Sequence, residues 1–287
     1  MPAPYEIAVE VEGARLSVVG RPMRDPRGGV VIAPGFAEHA GRYGPLMTDL
    51  AARGWAAFTY DPRGHGRSTG PRGHTPSWAH LGNDLGAVVD ALEEDGVLPP
   101  RRALHAASMG ALVAVEWMAA AGRGRFDGLA LVSPYFAPFA PPPARKVFLA
   151  HTVGRLLPRL AQPHGLRGGS MSRDPNVIAA YDLDPAINRV MSARYFNEMR
   201  AAQARVLARG AADLDVPVLL VHGEADPIAS PEAAREWMRT VTTTGSEERL
   251  YPGLLHEPLN ELARARVFAD YARWLDRQVL AVTQPGP

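Results

Sequence analysis

The sequence contains no cysteine, which excludes disulfides, thiolate metal ligands and a cysteine nucleophile and leaves the redox compartment open. It also lacks an excess of either charge: 31 basic residues stand against 30 acidic ones, for a net charge of +1, with no long block of one sign. That removes the electrostatic case for nucleic acid or anionic lipid as a partner. No run approaches the roughly 18 consecutive apolar residues of a membrane-spanning helix. The opening MPAPYEIAVEVEG has early acidic residues and no basic segment leading into an apolar run, so no secretory signal is expected and a soluble, cytoplasmic protein is. What is present is 287 residues that are 46% hydrophobic and 21% charged, enough to bury an ordinary core without covalent staples.

Two β-rich runs open the chain, YEIAVEV (5–11) and RLSVVG (15–20), followed by a buried strand, GVVIAP (29–34). The pattern then alternates: a helix near 44–53, strand 54–60, a helix near 77–94, strand 102–107, a helix from 108 to about 121, and strand 127–133. Short apolar strands alternating with amphipathic helices predict a mostly parallel sheet covered on both faces. From Pro134 to about Arg209 the rhythm stops, and a proline-rich stretch leads into a helical stripe of Leu149, Val153, Leu156, Leu157 and Leu160. It resumes with VPVLLVHG (216–223), a helix from Ser230, a strand at 248–252 and a long last helix from Leu259. The expected organisation is an α/β core in two parts, 1–135 and 209–287, interrupted by a helical cap at 136–208.

In open α/β sheets the working site lies beyond the carboxyl ends of the strands. Strand 102–107 runs directly into Ser108, and a helix starts at once in LHAASMGA (104–111). A serine on such a turn holds its hydroxyl above the sheet, provided the residues two before and two after it are small, as Ala106 and Gly110 are. Taken locally, Ser108 reads equally as a helix N-cap. A serine nucleophile needs a base to take its proton, and of nine histidines His256 stands out, in the loop between the last strand and the last helix. His105 and His222 lie within predicted buried strands and read as packed there, while His65 belongs to a glycine-rich turn that it orders. The carboxylate that would orient the base is Asp226, in the turn after strand 216–223, with Glu224 the lesser candidate. Ser108, Asp226 and His256 follow one another at the ends of successive strands, the chain order Ser, Asp, His of α/β-hydrolases. The Met109 amide, at a helix N-terminus, and the Phe36 amide, in the loop 33–43, are the expected oxyanion donors.

GFAEHAGRY (35–43), YDPRGHGRSTG (60–70), SMG (108–110), MSRDP (171–175), VPVLLVHGEADPI (216–228) and YPGLLHEPLNE (251–261) together resemble the monoacylglycerol lipase and lysophospholipase branch of the α/β-hydrolases. The resemblance implies a central sheet of about eight mostly parallel strands flanked by helices, with the helical cap inserted after the sixth strand. It implies hydrolysis of fatty acyl esters through a serine acyl-enzyme without a cofactor or metal. Ser108 is then the nucleophile, Asp226 the acid, His256 the base, and Phe36 and Met109 the oxyanion donors. The chain departs from the family's usual forms at Pro34, where a histidine is usual, and at Ala106, Ala107 and Ala111 around the serine.

The expected substrate is a lipid ester such as a monoacylglycerol or lysophospholipid, with Phe136, Phe139, Phe148, Leu149 and Val153 of the cap lining its acyl site. Transient contact of the cap with a membrane or micelle is a further expectation, weakened by the sparse basic flanking of the stripe. Two other readings stand beside this one. The same triad would serve a short- or medium-chain esterase, a thioesterase or an acyltransferase, and the altered serine turn would suit a non-catalytic binding protein of the same fold.

Overall fold

A computed structural model of the chain describes residues 3–280, so the first two and last seven positions of the expected core segments lie outside it. The first strand, β1 (Tyr5–Val11), turns back on β2 (Ala14–Arg21) in antiparallel register. Burial in β2 alternates residue by residue, as expected of a strand with one wet face. The next strands differ: β3 (Gly28–Ala33) and β4 (Trp55–Tyr60) are buried at every position. So are β6 (Gly128–Val132) and β9 (Val218–Gly223), and β5 (Arg102–Ala107) is buried except at its two ends. Continuous apolar runs of this kind belong in a sheet covered on both faces.

With β10 (Glu247–Tyr251), these strands form one eight-stranded sheet in the order β1-β2-β4-β3-β5-β6-β9-β10. Only β1–β2 and β2–β4 pair antiparallel. On one face lie α2 (Ala79–Glu94), α3 (Met109–Ala120) and α8 (Pro231–Met238), burying Leu85, Leu112 and Trp237. On the other lie α1 (Gly44–Ala52) and α9 (Arg264–Gln278), with Leu50, Tyr271 and Trp274. Among the described residues, no helix is long and apolar enough to cross a membrane.

Between β6 and β9 the chain leaves the sheet. It forms α4 (Ala144–Leu156), β7 (Ala161–Pro163), α5 (Gly168–Met171), α6 (Pro175–Leu183), β8 (Val190–Ser192) and α7 (Ala193–Arg209). Beside the expected cap helices the insertion carries an antiparallel ribbon, β7–β8, that the sequence pattern did not suggest. Its three-residue strands lie some 30 positions apart in the chain, too short and too separated to leave a periodic signal. The last helix also begins later than Leu259. Residues Pro258–Asn260 make one 3₁₀ turn, and α9 starts at Arg264, because the buried Glu261 carboxylate takes the amides of Leu255 and Leu262 and closes a loop first.

Two loops at the strand ends are held by buried polar groups. Asp61 accepts hydrogen bonds from the amides of Ala40 (2.6 Å) and Arg67 (2.7 Å), tying the loops after β3 and β4 together. Arg63 makes a bidentate ion pair with Asp84 of α2 at 2.5 and 2.6 Å, both side chains almost fully buried. Burial raises the Asp84 pKa, and the hydrogen bond and charge of Arg63 oppose that rise without cancelling it. Removing one partner of a buried pair strands the other charge, so Arg63→Leu is expected to lower unfolding free energy by about 3 kcal/mol in urea titration. A loss below about 1 kcal/mol, the range of an exposed pair, would show that water solvates the site.

Candidate active site

At the carboxyl end of β5 the chain turns sharply into α3, and Ser108 sits on the turn with φ 48° and ψ −116°. Left-handed backbone of this kind costs a non-glycine residue energy, which the surroundings must hold in place. They do so by hydrogen bonds from the Ser108 amide to the Val132 carbonyl (2.9 Å) and from the Tyr135 amide to the Ser108 carbonyl (3.0 Å). The strain falls on the serine and not on Ala106, which is regular β5 backbone paired with Ala33 and Leu131, so alanine replaces glycine there without penalty. Gly110 has no such latitude. A Cβ there would lie 2.4 Å from the Ala33 carbonyl oxygen and 2.5 Å from that of Pro34. The close approach brings α3 against the end of β3.

His256 Nε2 lies 2.9 Å from Ser108 Oγ, and His256 Nδ1 lies 2.7 Å from Asp226 Oδ2. The geometry requires Nδ1 to donate to the carboxylate, leaving Nε2 to accept the serine proton. Asp226 is fully buried, whereas Glu224 is exposed and makes no contact with the imidazole among the described residues. Burial works to raise the Asp226 pKa, but the charge of His256 and hydrogen bonds from His222 and His256 outweigh it and hold the carboxyl well below its usual range. For His256 burial opposes the charged form, yet the charge and hydrogen bond of Asp226, then Glu257 and Glu38, raise its pKa above 6.5. The loop carrying His256 can reach Asp226 because β9 ends in Gly223, where a Cβ would meet the Leu254 and Leu255 carbonyl oxygens at 2.3 Å.

Met109 is the first residue of α3, where an amide has no intrahelical acceptor. Phe36 follows Gly35, whose own amide is taken by Glu38 Oε2 (2.8 Å) and whose Cα would direct a Cβ to 3.2 Å from Ser108 Cβ. Both residues line the same cavity as Ser108 and His256. Ala37, with φ 71°, bends the chain directly after Phe36, and its carbonyl accepts the amide of Asn188 from the cap (3.1 Å).

The cavity has a volume of about 600 Å³. Apolar side chains such as Leu160, Leu166, Met191, Phe196 and Met199 line most of it, and the mutually bonded Glu38, Arg42, Glu257 and Asn260 form a polar patch in its wall. From α4 the positions facing it are Lys146, Leu149, Ala150 and Val153, one helical stripe. Leu149 and Val153 line this cavity, whereas Phe136, Phe139 and Phe148 do not. Phe136 is completely buried with its ring 4.8 Å from that of Trp237, in the core beneath α8. Phe139 and Phe148 are 59% and 74% exposed, and Phe148 lies off the inward stripe of α4. Aromatic content in the cap was a poor guide because only one face of α4 turns inward.

Sequence reasoning gave no role to a polar cluster beside the imidazole. Arg42 bonds both oxygens of Glu257 at 2.6 Å and lies 3.4 Å from Glu38, while the Tyr43 hydroxyl donates to Glu38 (2.6 Å). The density of Glu, Arg and Tyr within GFAEHAGRY was the available signal. His222 was also missed as a partner of Asp226, since a histidine inside an apolar strand looks like packing. Among the described residues, no group of three or more His, Asp or Glu side chains could hold a metal ion.

Known proteins resemble this chain along most of its length. The chain is 31% identical over 257 residues to a monoacylglycerol lipase of Mycolicibacterium smegmatis, covering 90% of this chain and 91% of that one. It is 28% identical to the human monoglyceride lipase over 276 residues, 93% of this chain and 88% of that one. The crystal structure of Paleococcus ferrophilus monoacylglycerol lipase superposes with a TM-score of 0.81 at 27% identity, covering 91% of this chain and 98% of that one. A soluble variant of the Saccharomyces cerevisiae monoglyceride lipase in complex with a substrate analog has the same fold, with a TM-score of 0.84 at 22% identity over 97% of each chain. Residues 24–263 match the Hydrolase_4 family, described as serine aminopeptidase, S33. The chain belongs to that family and is a monoacylglycerol lipase-like α/β-hydrolase of the carboxylic ester hydrolase class.

Proposed function

We propose that this protein hydrolyses long-chain monoacylglycerols through a serine acyl-enzyme. The observation that carries the reading is the hydrogen-bonded chain Asp226–His256–Ser108 opening into a largely apolar cavity that holds a polar patch. His256 takes the Ser108 proton as Oγ attacks the ester carbonyl, and the oxyanion is held by the Phe36 and Met109 amides. The same proton then goes to the leaving glycerol oxygen, and water repeats the cycle on the acyl-enzyme. Asp226 stays ionised throughout and stabilises the imidazolium that forms in each step. The acyl chain lies along Leu149, Val153 and their apolar neighbours. A peptide substrate, which the family description would suggest, would leave its backbone amides unpaired against that lining.

The polar patch favours a neutral headgroup over an anionic one. Arg42 faces two carboxylates, Glu38 and Glu257, so the cluster carries a net negative charge next to His256. A phosphate placed there would meet repulsion, while glycerol hydroxyls would find donors and acceptors of both kinds. Monoacylglycerol is therefore expected to be cleaved at least about 10-fold faster, by kcat/KM, than a lysophosphatidic acid with the same acyl chain, and p-nitrophenyl decanoate faster than the acetate. Preference for acetate would point to the short-chain esterase reading instead.

A fluorophosphonate probe is expected to label the wild type and not Ser108→Ala. Equal labelling of the two, or none of the wild type, would favour a binding protein with a hydrolase fold. The pH dependence follows from His256, which must be neutral to act as a base. Because Asp226 holds its pKa above 6.5, kcat/KM is expected to rise with pH through an ionisation above 6.5 and then level off. A limb centred below about 6 would mean that the imidazole is not paired with an ionised carboxylate.

A further inference from the structure

His222 is the fifth residue of β9 and has no solvent exposure. Its Nε2 lies 2.9 Å from Asp226 Oδ2, the same oxygen that accepts from His256 at 2.7 Å. The other oxygen, Oδ1, accepts the amides of Ile228 (2.8 Å) and Ala229 (3.1 Å). An ionised carboxylate offers about four lone-pair directions, and here four donors occupy them. Since the carboxylate can only accept, His222 Nε2 carries the hydrogen. The opposite nitrogen, Nδ1, is buried with no hydrogen-bond partner among the described residues. A histidine kept for packing alone would pair both nitrogens, and an aliphatic side chain of similar volume would fill the site without stranding one.

We propose that His222 is a positioning residue for the reaction, acting on His256 through Asp226. The proposal rests on the reading of Ser108, His256 and Asp226 given above. Its Nε2–H fixes the rotation of the carboxylate plane, so that the oxygen facing His256 cannot swing away. It also withdraws electron density from Oδ2, which limits how strongly that oxygen favours the imidazolium. Loss of the donor has two separable consequences: a looser imidazole, read in kcat, and a more basic one, read in the pH profile. The other groups that act on this pair are Glu38 and Glu257, both bonded to Arg42, the Ser108 hydroxyl, and the Tyr135 phenol, whose pKa is raised by burial and further by the Asp226 charge. None of them is altered by substituting His222, so a shift of the profile reports the missing donor.

The test compares pH profiles of kcat and kcat/KM, on a soluble ester, for wild type, His222→Leu, His222→Gln and Asp226→Asn. The Gln side chain carries an amide nitrogen to the place of Nε2, and Leu has no donor. His222→Leu is expected to lose about 10-fold or more in kcat with little change in KM, and its acidic limb to move up by about half a pH unit. His222→Gln is expected to stay within about 3-fold of wild type with an unmoved limb. A His222→Leu profile that overlays wild type overturns the proposal, as does a Gln variant as impaired as Leu with neither limb displaced, which is the mark of packing. Should the Leu variant fail to fold, His222→Asn, whose amide is too short to reach Oδ2, replaces it in the same comparison. Asp226→Asn separates the two levels of the argument: wild-type kcat in that variant overturns the triad itself, whereas its loss beside an unaffected His222→Leu overturns only the role of His222.

Discussion

The structure depends on one buried charge. Asp226 has no exposure to solvent, and an isolated carboxylate in that position would cost more than the rest of the turn could offset. It stays ionised because two backbone amides of its own turn, a strand histidine and His256 supply four donors. The four donors come from three separate commitments of the fold. The amides require the turn after β9 to close on itself. His222 requires β9 to run in its parallel register between β6 and β10. His256 requires the loop after β10 to lie against Gly223, where no side chain fits. The hydrogen-bond chain then reaches across the sheet to Ser108, the one strained residue of the β5–α3 turn.

The cap is joined to the core at the same few loops. His39 pairs with Asp184 at 2.8 Å, and Asn188 bonds both the Ala37 carbonyl and His65 Nε2. Burial lowers the pKa of His65 to about 4, so at neutral pH it remains uncharged and can keep this contact. Across the cavity, Ser172 donates to the Asn260 carbonyl, Arg173 pairs with Glu261, and the Glu257 amide donates to the Met171 carbonyl. The MSRDP segment thus braces the loop that presents His256, and DPAIN (184–188) braces the loop that presents Phe36. Phe36 and Met171, one from each braced region, both line the apolar cavity together with His256.

Much of this was legible in the chain. Apolar runs of the right length gave the parallel strands, and the punctuation around Ser108, Asp226 and His256 put all three at strand ends, where they meet. Less visible was anything decided by which way a side chain faces. Phe136, Phe139 and Phe148 have the composition of a lipid pocket, yet one is core and two face solvent, while Leu160, Met191 and Met199 from separate cap elements line the cavity. The β7–β8 ribbon is too short to show a period, and His222 hides in an apolar strand because its partner lies four residues further on, past a turn. The alanines around Ser108 mattered less than their contrast with glycine suggested, since the positive φ falls on the serine and the close approach on Gly110.

The central claim is that Ser108, His256 and the Phe36 and Met109 amides converge on one reacting centre. A crystal structure of the phosphonate adduct tests it most directly. The expected adduct has phosphorus bonded to Ser108 Oγ, its anionic oxygen within about 3.1 Å of both amides and its alkyl chain along Leu149 and Val153. An adduct on another residue, or an oxygen turned away from both amides, would contradict it.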